Sequence, residues 1–291
     1  MKIQSISLVV GGSACDAKCP YCVARLTGRG EAQPEPPNMP MLHKAIEMAT
    51  RNGVCTAILT GKGEPCAKTN RRQITIYLEN LFEAKMPFVC LQTNGLWLGR
   101  ANEVEVLRCL KDWRSKGLTT VSISVVSWQD KLNAEIFTPG KEYTDLGRLV
   151  ALLKGFGLVV RLSCILCKGY TDTPQRVMDL VGFCNDLGAQ QLTLHPVTCP
   201  DNGKSPDVEQ WVREHELSDS EQEAIRAKLR TYPKLMSLAH GGVVHDVNDI
   251  SVGFSECLTI DPSQDGEIRQ LIYYPDGRIM YDWVHKAAIL G

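Results

Sequence analysis

The sequence has no surplus of charge of either sign. Its 291 residues carry a formal net charge of −1, so no global basic field is present to hold a nucleic acid, although a local basic patch stays open. No run is long and apolar enough to span a membrane. The first residues, MKIQSISLVV, are too short and wrongly flanked for a signal peptide and read as a first strand. Repetition is of supersecondary units and not of sequence. What remains, 44% hydrophobic and 22% charged residues, suits one large globular domain or a domain with a small extension. Twelve cysteines without an export signal point to a reducing cytoplasm.

Three of those cysteines stand together. Cys15, Cys19 and Cys22 lie in GGSACDAKCPYCVARLTG, a C-x3-C-x2-C spacing with Tyr21 before the last cysteine. An iron–sulfur cube usually takes four cysteines. Three ligands leave one iron open, much as a three-ligand zinc keeps a catalytic position. Gly11, Gly12 and Pro20 oppose helix, so a loop wrapping a cluster fits better than a helical stripe. The alternative is zinc, but structural zinc takes four ligands, often as two close pairs, and no second pair of ordinary spacing lies near. Three clustered thiols cannot pair completely as disulfides. Cys55, Cys66, Cys90, Cys109, Cys164, Cys167, Cys184, Cys199 and Cys257 read mostly as small apolar core residues.

Two further motifs follow in order. Thr60-Gly61-Lys62-Gly63-Glu64-Pro65 ends the apolar run VCTAIL, and Thr93-Asn94-Gly95 ends FVCLQTNG. With the cysteine triplet, this series resembles the radical S-adenosylmethionine (radical SAM) superfamily, whose signature is C-x3-C-x-aromatic-C followed by a Gly-Gly-Glu-Pro-like motif. Lys62 interrupts the glycine pair, a tolerated G-x-G-E-P form.

The resemblance implies that Cys15, Cys19 and Cys22 hold a [4Fe–4S] cluster whose open iron chelates SAM. It implies reductive SAM cleavage to a 5′-deoxyadenosyl radical, fed by a one-electron donor such as flavodoxin or ferredoxin. It implies that Glu64 and the backbone at Gly61 and Gly63 meet the methionine ammonium, and that Tyr21 packs near the adenine. The cofactors expected are therefore the [4Fe–4S] cluster and S-adenosyl-L-methionine.

Six β-α units run in series from the first residue to QQLTLHPV, the pattern of a parallel sheet covered by helices, with right-handed crossovers. The fold class is α/β. The resemblance makes it a partial (β/α)6 barrel over residues 1–198, with no peptide-recognition domain before it. Residues 199–291 form an extension with helices and a β-hairpin. VEQWVREHEL and SEQEAIRAKLRTYPK read as helices, with Ser218 or Ser220 as a cap. LAHGGVVHDVND reads as irregular. EIRQLIYYPDGRIMYDWV reads as a hairpin turning at Asp276-Gly277. An isolated hairpin is marginal in water, so 240–283 is expected to cap the open barrel and shape the substrate site. The extension lacks the multi-cysteine pattern of the auxiliary-cluster (twitch or SPASM) domains found in some superfamily members.

Strand alternation adds candidates. Ser122 and Ser124 share one face of TVSISVV, and Arg161 and Ser163 share one face of LVVRLSCIL. In a barrel covered by helices, polar faces point inward toward ligand. Superfamily strands four and five often give such residues to SAM, so Ser122, Ser124 and Arg161 are cofactor candidates. His195 ends strand six, where barrel sites gather, and is a substrate or catalytic candidate, with a structural histidine as the competing reading. Cys167 is a candidate hydrogen donor, as in some radical SAM epimerases, against a plain packed thiol. His240, His245 and Arg269 are candidate substrate contacts in the extension.

The function expected is a cytoplasmic radical SAM enzyme acting on a small polar metabolite, a nucleotide or amino-acid derivative. The alternatives are a peptide-modifying maturase served by a separate recognition protein, and a non-catalytic zinc- or cluster-binding module.

Overall fold

The computed structural model describes residues 2–27, 36–100, 103–138, 140–199, 204–238, 242–255, 267–283, 285 and 287–291. The first two-thirds of the chain alternate strand and helix: β1 (Lys2–Val9), α1 (Val23–Leu26), α2 (Met39–Arg51), β2 (Thr56–Thr60), α3 (Arg71–Glu83), β3 (Phe88–Thr93), α4 (Leu96–Arg100), α5 (Glu103–Ser115), β4 (Thr120–Val125), α6 (Asp130–Phe137), α7 (Leu146–Gly155), β5 (Val159–Leu166), α8 (Pro174–Leu187) and β6 (Gln191–Pro196). The extension adds α9 (Pro206–His215), α10 (Asp219–Leu229), β7 (Lys234–Ser237), β8 (Val243–Val247), β9 (Ile250–Phe254), β10 (Glu267–Tyr273) and β11 (Ile279–Met280).

Helix boundaries follow local chemistry. Asn38 accepts from the Met41 N–H to start α2, and Thr173 caps α8 with Pro174 at its first position. Gly188 stops α8 in the left-handed region at φ 71°. Of the two serines before α10, Ser218 is the cap, in a capping box with Glu221.

Strands β1 to β6 pair in sequence order, all parallel. The fold is therefore the α/β partial barrel expected from the sequence. Alternation positions its two faces. In β5, Val160, Leu162, Cys164 and Leu166 are buried in the main core with helix residues such as Val150, Leu153, Val177 and Leu180. Arg161, Ser163 and Ile165 between them are only half-buried, on the face turned away from the helices.

The extension joins the same sheet, whose order is β11-β10-β1-β2-β3-β4-β5-β6-β9-β8-β7. Strand β9 lies parallel to β6 and β10 parallel to β1. The parallel run thus grows at both edges, and antiparallel β8, β7 and β11 finish it.

One expectation is corrected here, and one element takes an added role. Within the stretch read as irregular, Val243–Val247 is the first arm of the hairpin β8–β9, turned by Asn248 and Asp249 at φ 55° and 67°. Asn and Asp tolerate that left-handed conformation, which a two-residue hairpin turn demands. The hairpin at Asp276-Gly277 does form, but its first arm is an interior strand paired to β1. Apolar Leu271 and Tyr273 reach the core there, so the arm extends the sheet.

Candidate active site

The three motifs leave the same end of the sheet and are packed directly on one another. After β1 the chain turns at Gly11, whose φ is 62°. The loop carrying the cysteines then runs against the Gly-Lys-Gly-Glu-Pro turn after β2. A Cβ on Gly63 would stand 2.4 Å from the Ala14 carbonyl and 2.7 Å from that of Gly12. One on Gly61 would stand 2.7 Å from the Val10 carbonyl. Glycine is needed at both because backbone meets backbone there.

Glu64 ties the motifs together. Its carboxylate is buried and accepts from the Thr93 hydroxyl, from the Asn94 N–H at 2.8 Å and from the Cys66 N–H at 2.9 Å. Its own N–H donates to the Ala14 carbonyl at 2.8 Å. Asn94 in turn donates through Nδ2 to Asp16 at 2.7 Å and lies 3.8 Å from the Cys15 sulfur. One buried acid thus joins the ends of β2 and β3 to the cysteine loop. Burial pushes its pKa up to about 6, although the three donors pull the other way.

The three thiols line a cavity of about 480 Å³. Burial, and the nearness of Cys15 and Cys22, raise the Cys19 pKa far above that of a free thiol. Cys15 is pushed up to about 11, again chiefly by burial. Ionising Cys15 and Cys19 together therefore requires a strongly positive group beside them. Among the described residues, no three His, Cys, Asp or Glu side chains converge as the ligands of a single ion do. A cube spreads its thiolates over separate iron atoms and needs no such convergence. The donor set fits a cluster.

A model of the radical SAM superfamily matches residues 9–184, more than half of the chain. The chain belongs to the radical SAM superfamily. The cofactors of this superfamily are a [4Fe–4S] cluster and SAM, and its members are enzymes that use a reductant.

Several solved structures share the fold. SuiB of Streptococcus suis bound to precursor peptide SuiA has a TM-score of 0.60 at 15% identity, covering 96% of this chain and 59% of that one. The protein anSMEcpe with bound AdoMet (SAM) and Kp18Cys peptide has a TM-score of 0.60 at 12% identity, covering 99% and 77%. Methylornithine synthase (PylB) has a TM-score of 0.54 at 10% identity, covering 78% and 62%. The chain spans about 60% of the length of SuiB. No curated protein matches the sequence significantly.

Within this radical SAM frame, Tyr21, Gly61, Gly63, Glu64 and Ser124 also line the cavity. Tyr21 is buried, and its hydroxyl has no hydrogen-bond partner among the described residues. Ser122 and Arg161 are not among the lining residues. They pair in register one layer below Ser124 and Ser163. The Arg161 guanidinium donates to Gln191 Oε1 through Nε at 2.9 Å and Nη2 at 2.7 Å.

His195 also stands off the wall, although Pro196, Val197 and Thr198 after it line the cavity. Its Nδ1 lies 2.8 Å from the Ser255 carbonyl. A carbonyl only accepts, so Nδ1 carries the proton. Burial, with the charges of Arg269 and Arg161, lowers its pKa to about 4, so the ring is neutral at neutral pH. Cys167 is wholly buried in a cluster with Tyr21, Val126 and Phe137, and burial pushes its pKa up to about 12. It too is off the cavity wall. His245 is buried on β8, with Nδ1 3.2 Å from the Tyr232 carbonyl. Arg269 lies on β10. His240 and Cys257 lie outside the described residues.

One contributor escaped the sequence reading. Helix α9 lies over the cysteine loop: Trp211 packs 5.7 Å from the Tyr21 ring, and Val208 and Val212 join the same cluster. Arg25 is ion-paired with Asp207, and the Lys204 N–H donates to the Leu26 carbonyl at 2.8 Å. The available signal was the apolar spacing Val208, Trp211, Val212, which marks a helix face that must be covered without saying by what.

Proposed function

We propose that Cys15, Cys19 and Cys22 hold the [4Fe–4S] cluster at the rim of this cavity, and that SAM occupies the cavity with its ammonium at Glu64. The observation that carries the reading is Glu64 itself, one buried carboxylate reached by all three motifs beside the three thiols. When bound, the cluster supplies the electron that cleaves SAM to methionine and a 5′-deoxyadenosyl radical. The chain's residues orient and enclose. Gly61 and Gly63 keep the turn close to the cysteine loop, Tyr21 and Ser124 bound the cavity, and the α9 cover over Tyr21 excludes water from a reaction that stray donors would quench.

The substrate proposed is a small polar metabolite, a nucleotide or amino-acid derivative, in a reducing cytoplasm with a flavodoxin- or ferredoxin-like donor. The described cysteines being free thiols accords with that compartment. No described helix is long and apolar enough to cross a membrane. A peptide substrate is the second reading, favoured by the peptides held by SuiB and anSMEcpe.

The test is anaerobic reconstitution followed by assay of iron, sulfide and 5′-deoxyadenosine. About four irons per chain and reductant-dependent cleavage are expected. Metabolite fractions should stimulate cleavage more than peptide fractions, and the reverse result selects the second reading. Colourless protein with stoichiometric zinc defeats both.

Glu64→Gln isolates the role of the charge. The amide keeps one acceptor oxygen but turns an NH2 toward a backbone N–H, at a cost of about 1–3 kcal/mol in stability. Iron content should survive, while SAM affinity should fall about tenfold or more with loss of the charge-assisted contact. In the native enzyme, SAM binding should weaken as pH falls through about 6, where Glu64 takes up its proton, and the variant should lose that dependence. Unchanged affinity in a variant with full iron counts against the assignment. Titration calorimetry on cluster-loaded protein reads both effects.

A further inference from the structure

Asn94 follows β3, is buried and lines the cavity. Its bond to Glu64 is made by the backbone N–H, at 2.8 Å, and any residue but proline could supply that. The side chain makes a separate set of contacts.

The orientation of that side chain is fixed. Oδ1 accepts from the Leu96 N–H at 2.9 Å, and a backbone N–H only donates, so the amide NH2 points the other way. The NH2 has two hydrogens. Nδ2 donates to Asp16 Oδ1 at 2.7 Å and to the Cys15 sulfur at 3.8 Å. A thiolate draws such a donor closer than a thiol does, because charge-assisted bonds are shorter and stronger. Among the described residues, Asn94 is the one side-chain donor that reaches a sulfur of Cys15, Cys19 or Cys22.

A donor at a ligand sulfur acts on the potential of a cluster. Reduction adds negative charge to the cluster and its thiolates. An N–H there stabilises the reduced form more than the oxidised one and raises the potential. A carboxylate does the reverse. Asp16 and Glu64 both stand beside the cysteine loop, and Asn94 bonds to each of them as well as to the sulfur.

We propose that the Asn94 amide donates to the Cys15 thiolate of the loaded enzyme and raises the reduction potential of the cluster toward that of its one-electron donor. This rests on the cluster reading above and deepens it. Asn94 acts through Cys15, so it is a positioning residue. The competing role is mechanical: through Asp16 the same side chain staples the cysteine loop to the end of β3.

The experiment is a potentiometric titration of reconstituted enzyme read by electron paramagnetic resonance, with iron counted in every sample. Asn94→Ala should keep about four irons. At a fixed potential its ratio of reduced to oxidised cluster should fall about tenfold, which is about 59 mV for a one-electron couple. Asn94→Asp should fall further, since it puts an acceptor and a charge in place of the donor. Asp16→Ala cuts the same staple but keeps the N–H at Cys15, so its potential should not fall. In addition, wild-type protein carrying asparagine labelled at the side-chain nitrogen should show a weak coupling of that nitrogen to the reduced cluster in pulsed resonance.

Three results overturn the proposal: iron-loaded Asn94→Ala keeps the wild-type potential, Asp16→Ala falls as far as Asn94→Ala, or the labelled wild type shows no coupling. If the Asn94 variants lose their iron, the coupling in the wild type decides alone. A wild type that holds no cluster ends the reading beneath. A cluster-loaded wild type that fails these tests ends the Asn94 proposal alone.

Discussion

Cys19→Ala is expected to abolish iron retention and, with it, all formation of 5′-deoxyadenosine. The three thiols are the whole ligand set that the cysteine loop offers, and a cube held by two thiolates has neither its geometry nor its charge balance. Cys19 is also the most deeply held of the three, packed against the cluster that contains Tyr21 and Leu26. The substitution removes one sulfur from a half-buried position, so stability should change by only about 1 kcal/mol. Circular dichroism should therefore match the wild type while the brown colour is lost. Cys55→Ala is the control. Cys55 precedes β2 at the opposite end of the sheet and is exposed, so that variant should keep full iron. Retention of four irons by Cys19→Ala would show that another donor completes the set.

Deleting residues from Glu267 onward should remove the fold and not merely a substrate contact. Strand β10 pairs with β1 along nearly its whole length, from Lys2–Glu267 to Leu8–Tyr273. The deletion also strips Leu271, Ile272, Tyr273, Tyr274, Ile279 and Met280, all buried. At about 1.5–3 kcal/mol for each such side chain, the loss is about 9–18 kcal/mol, comparable to or larger than the whole stability of a typical domain, about 5–15 kcal/mol. The Tyr273 hydroxyl also donates to the Asn38 carbonyl at 2.8 Å, a bond that holds the start of α2. The truncated protein should be insoluble or lack a cooperative thermal transition. Soluble truncated protein that still loads iron would mean that β10 is an accessory to a sheet complete without it.

The sequence made the six central strands and the cysteine loop legible because both are local signals: periodic apolar runs punctuated by glycine, and ligands a few residues apart. It also named the motif carrying Glu64. Other features depend on pairing over distance. Nothing within GEIRQLIYY says that its neighbour is β1, 265 residues away. The turn Asn248-Asp249 is a weaker hairpin signal than Asn-Gly, so β8 and β9 were missed beside the evident turn at Asp276-Gly277. Alternation told which face of β5 carries Arg161 but not its height. Height follows from register, and register sets Arg161 beside Ser122 and Gln191, below the layer of Ser124. His195 shows the same limit, since its partner Ser255 lies on a segment with no motif of its own.

The partnership of β1 with β10 also imposes a timetable. At about 5–20 residues per second, some 13–53 s of synthesis separate the two strands, and through that interval the outer edge of β1 presents unpaired backbone groups. An open edge of this kind is a template for pairing with a foreign strand. The cysteine loop leaves the chain directly after β1, so its anchorage is one-sided until the late strand arrives. Metal delivered early meets a half-framed loop, whereas metal delivered after release meets the completed one. Loading of the cysteine loop is thereby favoured after translation, with the nascent first strand as the segment most in need of shelter.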